Sequence, residues 1–213
     1  IKMAEQHLFI LWEKARNKEQ EILDEIKSQF KILKEYEIQW DENKFLDNMT
    51  SFYGFNHSDR YYIQEERGSG KFLVVFVEDE NPEYMDVQTT KGFVSVNKMM
   101  YESKQNIRKK YFDGKFLIHT TNNIKETKHD ICLLLGKSLD DLNKSENWDG
   151  GRVFLKQNLP AVDGWKTREQ IFYILNETVN YVVIRDCDVA PYLPIRPNTC
   201  SYYYDVEILT DDI

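Results

Sequence analysis

The chain has 213 residues, 41% of them hydrophobic and 14% aromatic, enough for one large domain with a substantial core or for a domain and part of a second. A formal net charge of −8 argues against a bulk nucleic-acid binder or a protein of anionic membrane surfaces. No apolar run approaches the roughly 20 residues of a membrane span, and the three cysteines, Cys132, Cys187 and Cys200, are too widely spaced for a disulfide framework or a zinc pattern.

Glu5, Gln6 and His7 interrupt the start, and Glu13 follows a short apolar run, so no signal-peptide pattern is present. Met3 reads as the native start, and the expected location is the cytoplasm. Leu8 to Trp12 is short and fully apolar, which predicts a buried strand. Residues 17–33 carry Ile22, Leu23, Ile26 and Phe30 at helical spacing with charges between. Tyr36 to Trp40 predicts a second strand. Phe45, Leu46, Met49, Phe52 and Tyr53 predict a helix ending near Gly54.

Phe72 to Val77 is the clearest strand, apolar and rich in β-branched residues, and Asp79-Glu80-Asn81-Pro82 breaks it. Helical patterning resumes with Val94, Val96, Met99, Met100 and Tyr101 and runs toward Arg108. Arg108-Lys109-Lys110 is a local basic patch. A short strand, Phe116 to Ile118, leads into His119. Asn122 or Asn123 can cap the next helix, which would bury Ile124, Ile131, Leu134 and Leu135 and stop at Gly136. Residues 7–137 therefore read β-α-β-α-β-α-β-α. That order suits an α+β fold of the ferredoxin-like, split βαβ kind: an antiparallel sheet with helices on one face.

Ser138 to Arg152 is polar and contains Gly150-Gly151, and Pro160 to Gly164 marks a second boundary. The expected division is a domain over 1–137, a linker or lid over 138–164, and a small C-terminal α/β segment over 165–213. In that segment a helix (about 167–177) precedes strands at Tyr181 to Ile184 and Tyr203 to Leu209.

His119 is the first candidate for chemistry. An imidazole at a strand end can act as nucleophile or proton carrier near neutral pH. Asp130, in the following helix, is placed to orient it if that helix folds back over the strand. Gly68-Ser69-Gly70-Lys71 invites a phosphate-loop reading, but Glu65 stands where the first glycine is required and Phe72 where Ser or Thr would hold magnesium, so a turn is expected. Asp205-Val206-Glu207 places two carboxylates on one strand face, a pattern that can hold magnesium for nucleotidyl transfer, although an edge strand with a solvated acidic face has the same pattern.

Ile118-His119-Thr120-Thr121-Asn122-Asn123, followed by Asp130-Ile131 and Leu133-Leu134-Leu135, resembles the active-site segment of nucleoside diphosphate kinases, which reads I-H-G-S-D-S, then E-I and an apolar end. Met100 to Arg108 resembles that family's N-P-A-D-S-K-P-G-T-I-R, Val75 to Asp79 its V-W-E-G strand, and His7 to Leu11 its opening strand. The resemblance spans about residues 7–137. It implies His119 as phosphoryl-accepting nucleophile, Thr121 and Asp130 as its supports, and Arg108 as a phosphate clamp. Magnesium would arrive with the nucleotide. The family's first-strand lysine is met by Glu13, with Lys14 one step later as the substitute phosphate ligand. Phe116, Thr120 and Lys125 stand where the family has asparagine, glycine and glutamate.

Tyr181 to Arg185 with Asp205 and Glu207 more weakly resembles the acidic strand of minimal nucleotidyltransferases, which implies that the chain is the front of a longer protein. The expected partners are a nucleotide or phosphorylated small molecule and a second copy of the chain, with no membrane and no bulk nucleic acid. The alternatives carried alongside phosphoryl transfer are a non-catalytic nucleotide-binding or assembly module, and a magnesium-dependent nucleotidyltransferase centred on Asp205 and Glu207.

Overall fold

A computed structural model describes residues 3–53, 61–89, 92–135, 139–143, 150–157, 181–185 and 207–210. Strands β1 (Glu5–Leu11), β2 (Lys31–Trp40), β3 (Phe72–Asp79) and β6 (Ile118–Thr120) build one sheet in the order β6-β1-β3-β2, every neighbouring pair antiparallel. Helix α1 (Glu19–Gln29) joins β1 to β2, and α4 (Lys98–Phe112) joins the β3 side to β6. This is the split βαβ, ferredoxin-like arrangement that the order of elements predicts.

β3 carries the sheet. Its sequence Phe-Leu-Val-Val-Phe-Val is buried on both faces, as a strand covered from both sides must be. The helices expected on one face are α1 and α4. Ile22, Leu23 and Ile26 pack there with Met100 and Ile107 against Phe9, Leu11, Leu73 and Val75. The opposite face is also covered, and here the structure goes beyond the one-faced expectation. Helices α2 (Phe45–Tyr53), α3 (Tyr61–Arg67), α5 (Ile124–Leu135) and α6 (Leu139–Asn143) contribute Phe45, Met49, Ile63, Ile131, Leu134 and Leu142. Leaving Leu8, Ile10, Val74 and Phe76 to water would expose an apolar face that the second helix layer removes.

Two further differences have local causes. Val94 and Val96 belong to a strand, β5 (Gly92–Asn97), which forms a hairpin with β4 (Tyr84–Thr89). Their i, i+2 spacing is a strand period, and the helix begins only after Asn97, whose side chain accepts from the Met100 N–H at 3.0 Å. β7 (Arg152–Gln157), which begins where the polar stretch after Gly136 ends, adds a fifth strand parallel to β2. Arg152 anchors it through Glu35 at 2.7 Å and Glu19 at 2.8 Å. Strands β8 (Tyr181–Arg185) and β9 (Glu207–Thr210) pair with each other. The helix expected near 167–177 lies outside the described residues.

The Gly68-Ser69-Gly70 turn holds a carboxylate of the chain itself. The Gly70 N–H donates to Glu13 Oε2 at 2.8 Å, and a Cβ on Gly68, whose φ is +79°, would stand 2.1 Å from the same oxygen. Only glycine fits that approach. Among the described residues, no helix is long and apolar enough to cross a membrane.

Candidate functional site

His119 lies in β6 opposite Ile10 of β1. Antiparallel partners share a face, so its ring enters the layer of α2 and α5 rather than that of α1 and α4. There it meets Phe52 and Tyr53 edge-on, with centroids at 5.2 and 5.4 Å. Those contacts fix the ring plane.

Two carboxylates of α5 face Nε2. Glu126 Oε1 and Asp130 Oδ2 each lie 3.6 Å from it. Their i, i+4 spacing puts both on one helix face. The helix start settles the choice of cap: Asn123 Oδ1 accepts from the Glu126 N–H at 3.0 Å, while Glu126 Oε2 accepts from the Asn122 N–H at 2.5 Å. The pair resembles a capping box with its return bond shifted one residue before the cap, and it aims Glu126 Oε1 at the histidine. Asp130 is almost wholly buried, and His129 Nδ1 sits 3.0 Å from its other oxygen, Oδ1. That contact raises the His129 pKa.

Basic side chains line the α4 side. The Arg108 guanidinium, buried, donates through Nε to the Ile118 carbonyl at 2.9 Å and stacks over the Phe116 ring at 4.7 Å. Burial, with Arg67 nearby, pulls its pKa down to about 10. Lys104, one turn earlier, donates to Asn122 Oδ1 at 3.3 Å. Burial, then Arg108, brings its ammonium down to about 8, opposed by Glu126. Arg67 of α3 donates to the Phe116 carbonyl at 3.2 Å and lies over the Tyr53 ring at 5.2 Å. Burial pushes the Tyr53 phenol up, while Arg67 and Arg108 draw it back.

The other expected site residues separate from this group. Thr121 Oγ1 accepts from the Leu8 N–H at 3.0 Å and from Thr127 Oγ1 at 2.9 Å, and it lies 3.3 Å from His7 Nδ1. The hydroxyl therefore serves His7, where the sequence comparison had it supporting His119. Lys14 is exposed, and its ammonium is engaged by the Glu65 carbonyl. Asp205 lies outside the described residues, and Glu207 is described only as a backbone position in β9.

Sequence reasoning missed Glu126, Lys104, Arg67, Phe52 and Tyr53. A signal existed for two of them. Glu126 is three residues after Asn123 and four before Asp130, and Lys104 is one turn before Arg108.

His7 is the centre of a second, buried polar group. Asn97 Nδ2 stands 3.3 Å from Nε2, Glu5 Oε2 3.4 Å from Nε2, and Thr127 Oγ1 3.4 Å from Nδ1. Asn97 also donates to Asp79 Oδ2 at 2.8 Å. Burial lowers the His7 pKa below its ordinary 6.5 despite Glu5 and Asp79. The unfolded chain then binds more protons than the folded one once the pH drops below about 6.5, so this group's contribution favours unfolding as the pH falls. His129, with its raised pKa, acts in the opposite sense. Urea titrations from pH 7.5 to 5 on the parent and on His7→Gln isolate the effect: the parent should lose more stability on acidification than the variant.

The fold and site thus define a ferredoxin-like α+β protein with a carboxylate-flanked histidine on an edge strand, bordered by lysine and arginine. No protein-family model and no curated protein matches the chain. Among solved structures it is similar to a nucleoside diphosphate kinase of Aquifex aeolicus, with 16% sequence identity and a TM-score of 0.38, over 61% of this chain and 93% of that one. That likeness is a distant structural resemblance.

Proposed function

We propose that the chain transfers phosphoryl groups from a nucleotide through His119. The observation that carries this reading is the pair of carboxylates facing one ring nitrogen, Nε2, at 3.6 Å each. A proton on Nε2 points at Asp130 and Glu126, which leaves the Nδ1 lone pair as the nucleophile. Nδ1 attacks the terminal phosphorus, the bond from that phosphorus to the bridging oxygen breaks, and the nucleoside diphosphate departs. No proton has to move. The positive charge that develops on the ring is held by the two carboxylates. Lys104, Arg108 and Arg67 supply positive charge beside the histidine for the transferring oxygens. Magnesium enters as part of the nucleotide complex.

A second reading, nucleotide binding without turnover, is favoured by one contact: the Arg108 guanidinium is already spent on the Ile118 carbonyl. Incubation of the purified chain with magnesium and γ-labelled nucleoside triphosphate separates the two. Phosphoryl transfer predicts an acid-labile, alkali-stable label that is absent in His119→Ala. Nucleotide retained on the protein without label would favour the second reading.

A further inference from the structure

We infer that His119, Glu126 and Asp130 form a binding site for a divalent first-row transition metal of the manganese-to-zinc series. Among the described residues these are the His, Cys, Asp and Glu side chains gathered closely enough to share one ion: their three ligand atoms lie within 4.8 Å of one another. The separations are informative. Nε2 stands 3.6 Å from each carboxylate oxygen, too far for a hydrogen bond. Two ligands bonded at about 2.0–2.2 Å to one tetrahedral ion are about 3.4 Å apart, so only small side-chain movements close the site.

A second observation is independent of that clustering. His119 Nε2 and Asp130 Oδ2 are both buried without a hydrogen-bond partner, and their residues are only 8% and 1% exposed. Buried polar atoms left unpaired are costly. One proton on Nε2 can satisfy at most one of two carboxylates, whereas one cation satisfies all three groups.

The remaining oxygens are already oriented. Glu126 Oε2 is held by the Asn122 N–H and Asp130 Oδ1 by His129, the outer contacts that fix ligands in metal sites. The Glu126 side chain is 29% exposed, which gives an ion a route from solvent. An imidazole with two carboxylates selects against magnesium and calcium, which prefer oxygen alone, and for the transition series. Two carboxylates and a neutral imidazole also balance a divalent charge.

The inference shares His119 with the phosphoryl-transfer reading but does not rest on it. The metal-stripped full chain is titrated with Co2+, following its visible absorption, and then with Zn2+ as competitor. The expected result is one Co2+ per chain, displaced by Zn2+ but not by millimolar Mg2+. In Asp130→Asn and in Glu126→Gln, each shown folded by circular dichroism, affinity should fall at least about tenfold. Absence of Co2+ binding by the folded parent overturns the inference. Undiminished binding in both variants, or thiolate-to-cobalt bands, places the ion elsewhere and overturns it equally. The nucleotide-labelling outcome has no bearing on these spectra, so either reading can fail alone.

Discussion

Replacing Asp130 by asparagine is expected to slow phosphoryl transfer to His119 by about 10²- to 10⁴-fold, the range typical of losing a positioned proton-holding group. The carboxylate faces Nε2 at 3.6 Å and stabilises the ring's developing charge. An asparagine amide can instead donate to Nε2, which favours the tautomer with its proton on Nδ1 and removes the nucleophilic lone pair. Asp130 is buried, so water has little room to replace it. Thr121→Val is the informative control. Its hydroxyl bonds the Leu8 N–H and Thr127 and faces His7, so its removal should cost about 1–3 kcal/mol of stability and leave the transfer rate near that of the parent. Single-turnover labelling with denaturant titration of both variants measures the contrast. Equal rate losses in the two would mean that Asp130 supports the histidine no more specifically than Thr121 does.

The largest effect on stability is expected at Trp12. Its ring is fully buried and meets Trp40, Phe45, Phe52 and Phe72 at centroid distances of 5.9, 6.2, 6.0 and 5.0 Å. Trp12→Ala should lower the unfolding free energy by about 3–5 kcal/mol, from lost transfer energy and the cavity left behind. The effect should reach the site. Phe52 lies between Trp12 and His119, packing on both, so the histidine ring loses part of its support. Urea denaturation followed by circular dichroism checks the first expectation, and the residual labelling rate of the folded fraction checks the second. A loss below about 1 kcal/mol would show that the aromatic cluster repacks around the gap.

What the sequence reveals depends on how local each signal is. The Phe72 to Val77 run declares a buried strand because every residue in it is apolar. It does not reveal that both faces are covered by helices, since a short apolar run has no period from which to read faces. The β4–β5 hairpin is concealed because Val94 and Val96 adjoin Met100 and Tyr101, and the two periods overlap across the Asn97 cap. β7 is concealed by the polar, glycine-bearing stretch before it, because its pairing with β2 spans more than a hundred residues. The same distinction separates the site residues. Asp130 is readable from His119 because one turn and one helix connect them. Tyr53, Phe52 and Arg67 come from α2 and α3, and only tertiary packing brings them to the ring. Thr121 misleads for the same reason: its partner, His7, is 114 residues away in the chain.

The account turns on His119 as a phosphoryl acceptor whose Nε2 is flanked by Asp130 and Glu126, and the most direct measurement is the nitrogen that carries the phosphate. After reaction with a magnesium nucleoside triphosphate, ³¹P–¹⁵N correlation spectra of the protein labelled with ¹⁵N-histidine distinguish the two ring positions. The expected result is phosphorus bonded to Nδ1 of His119. Phosphorus on Nε2, on another residue, or on none would contradict it.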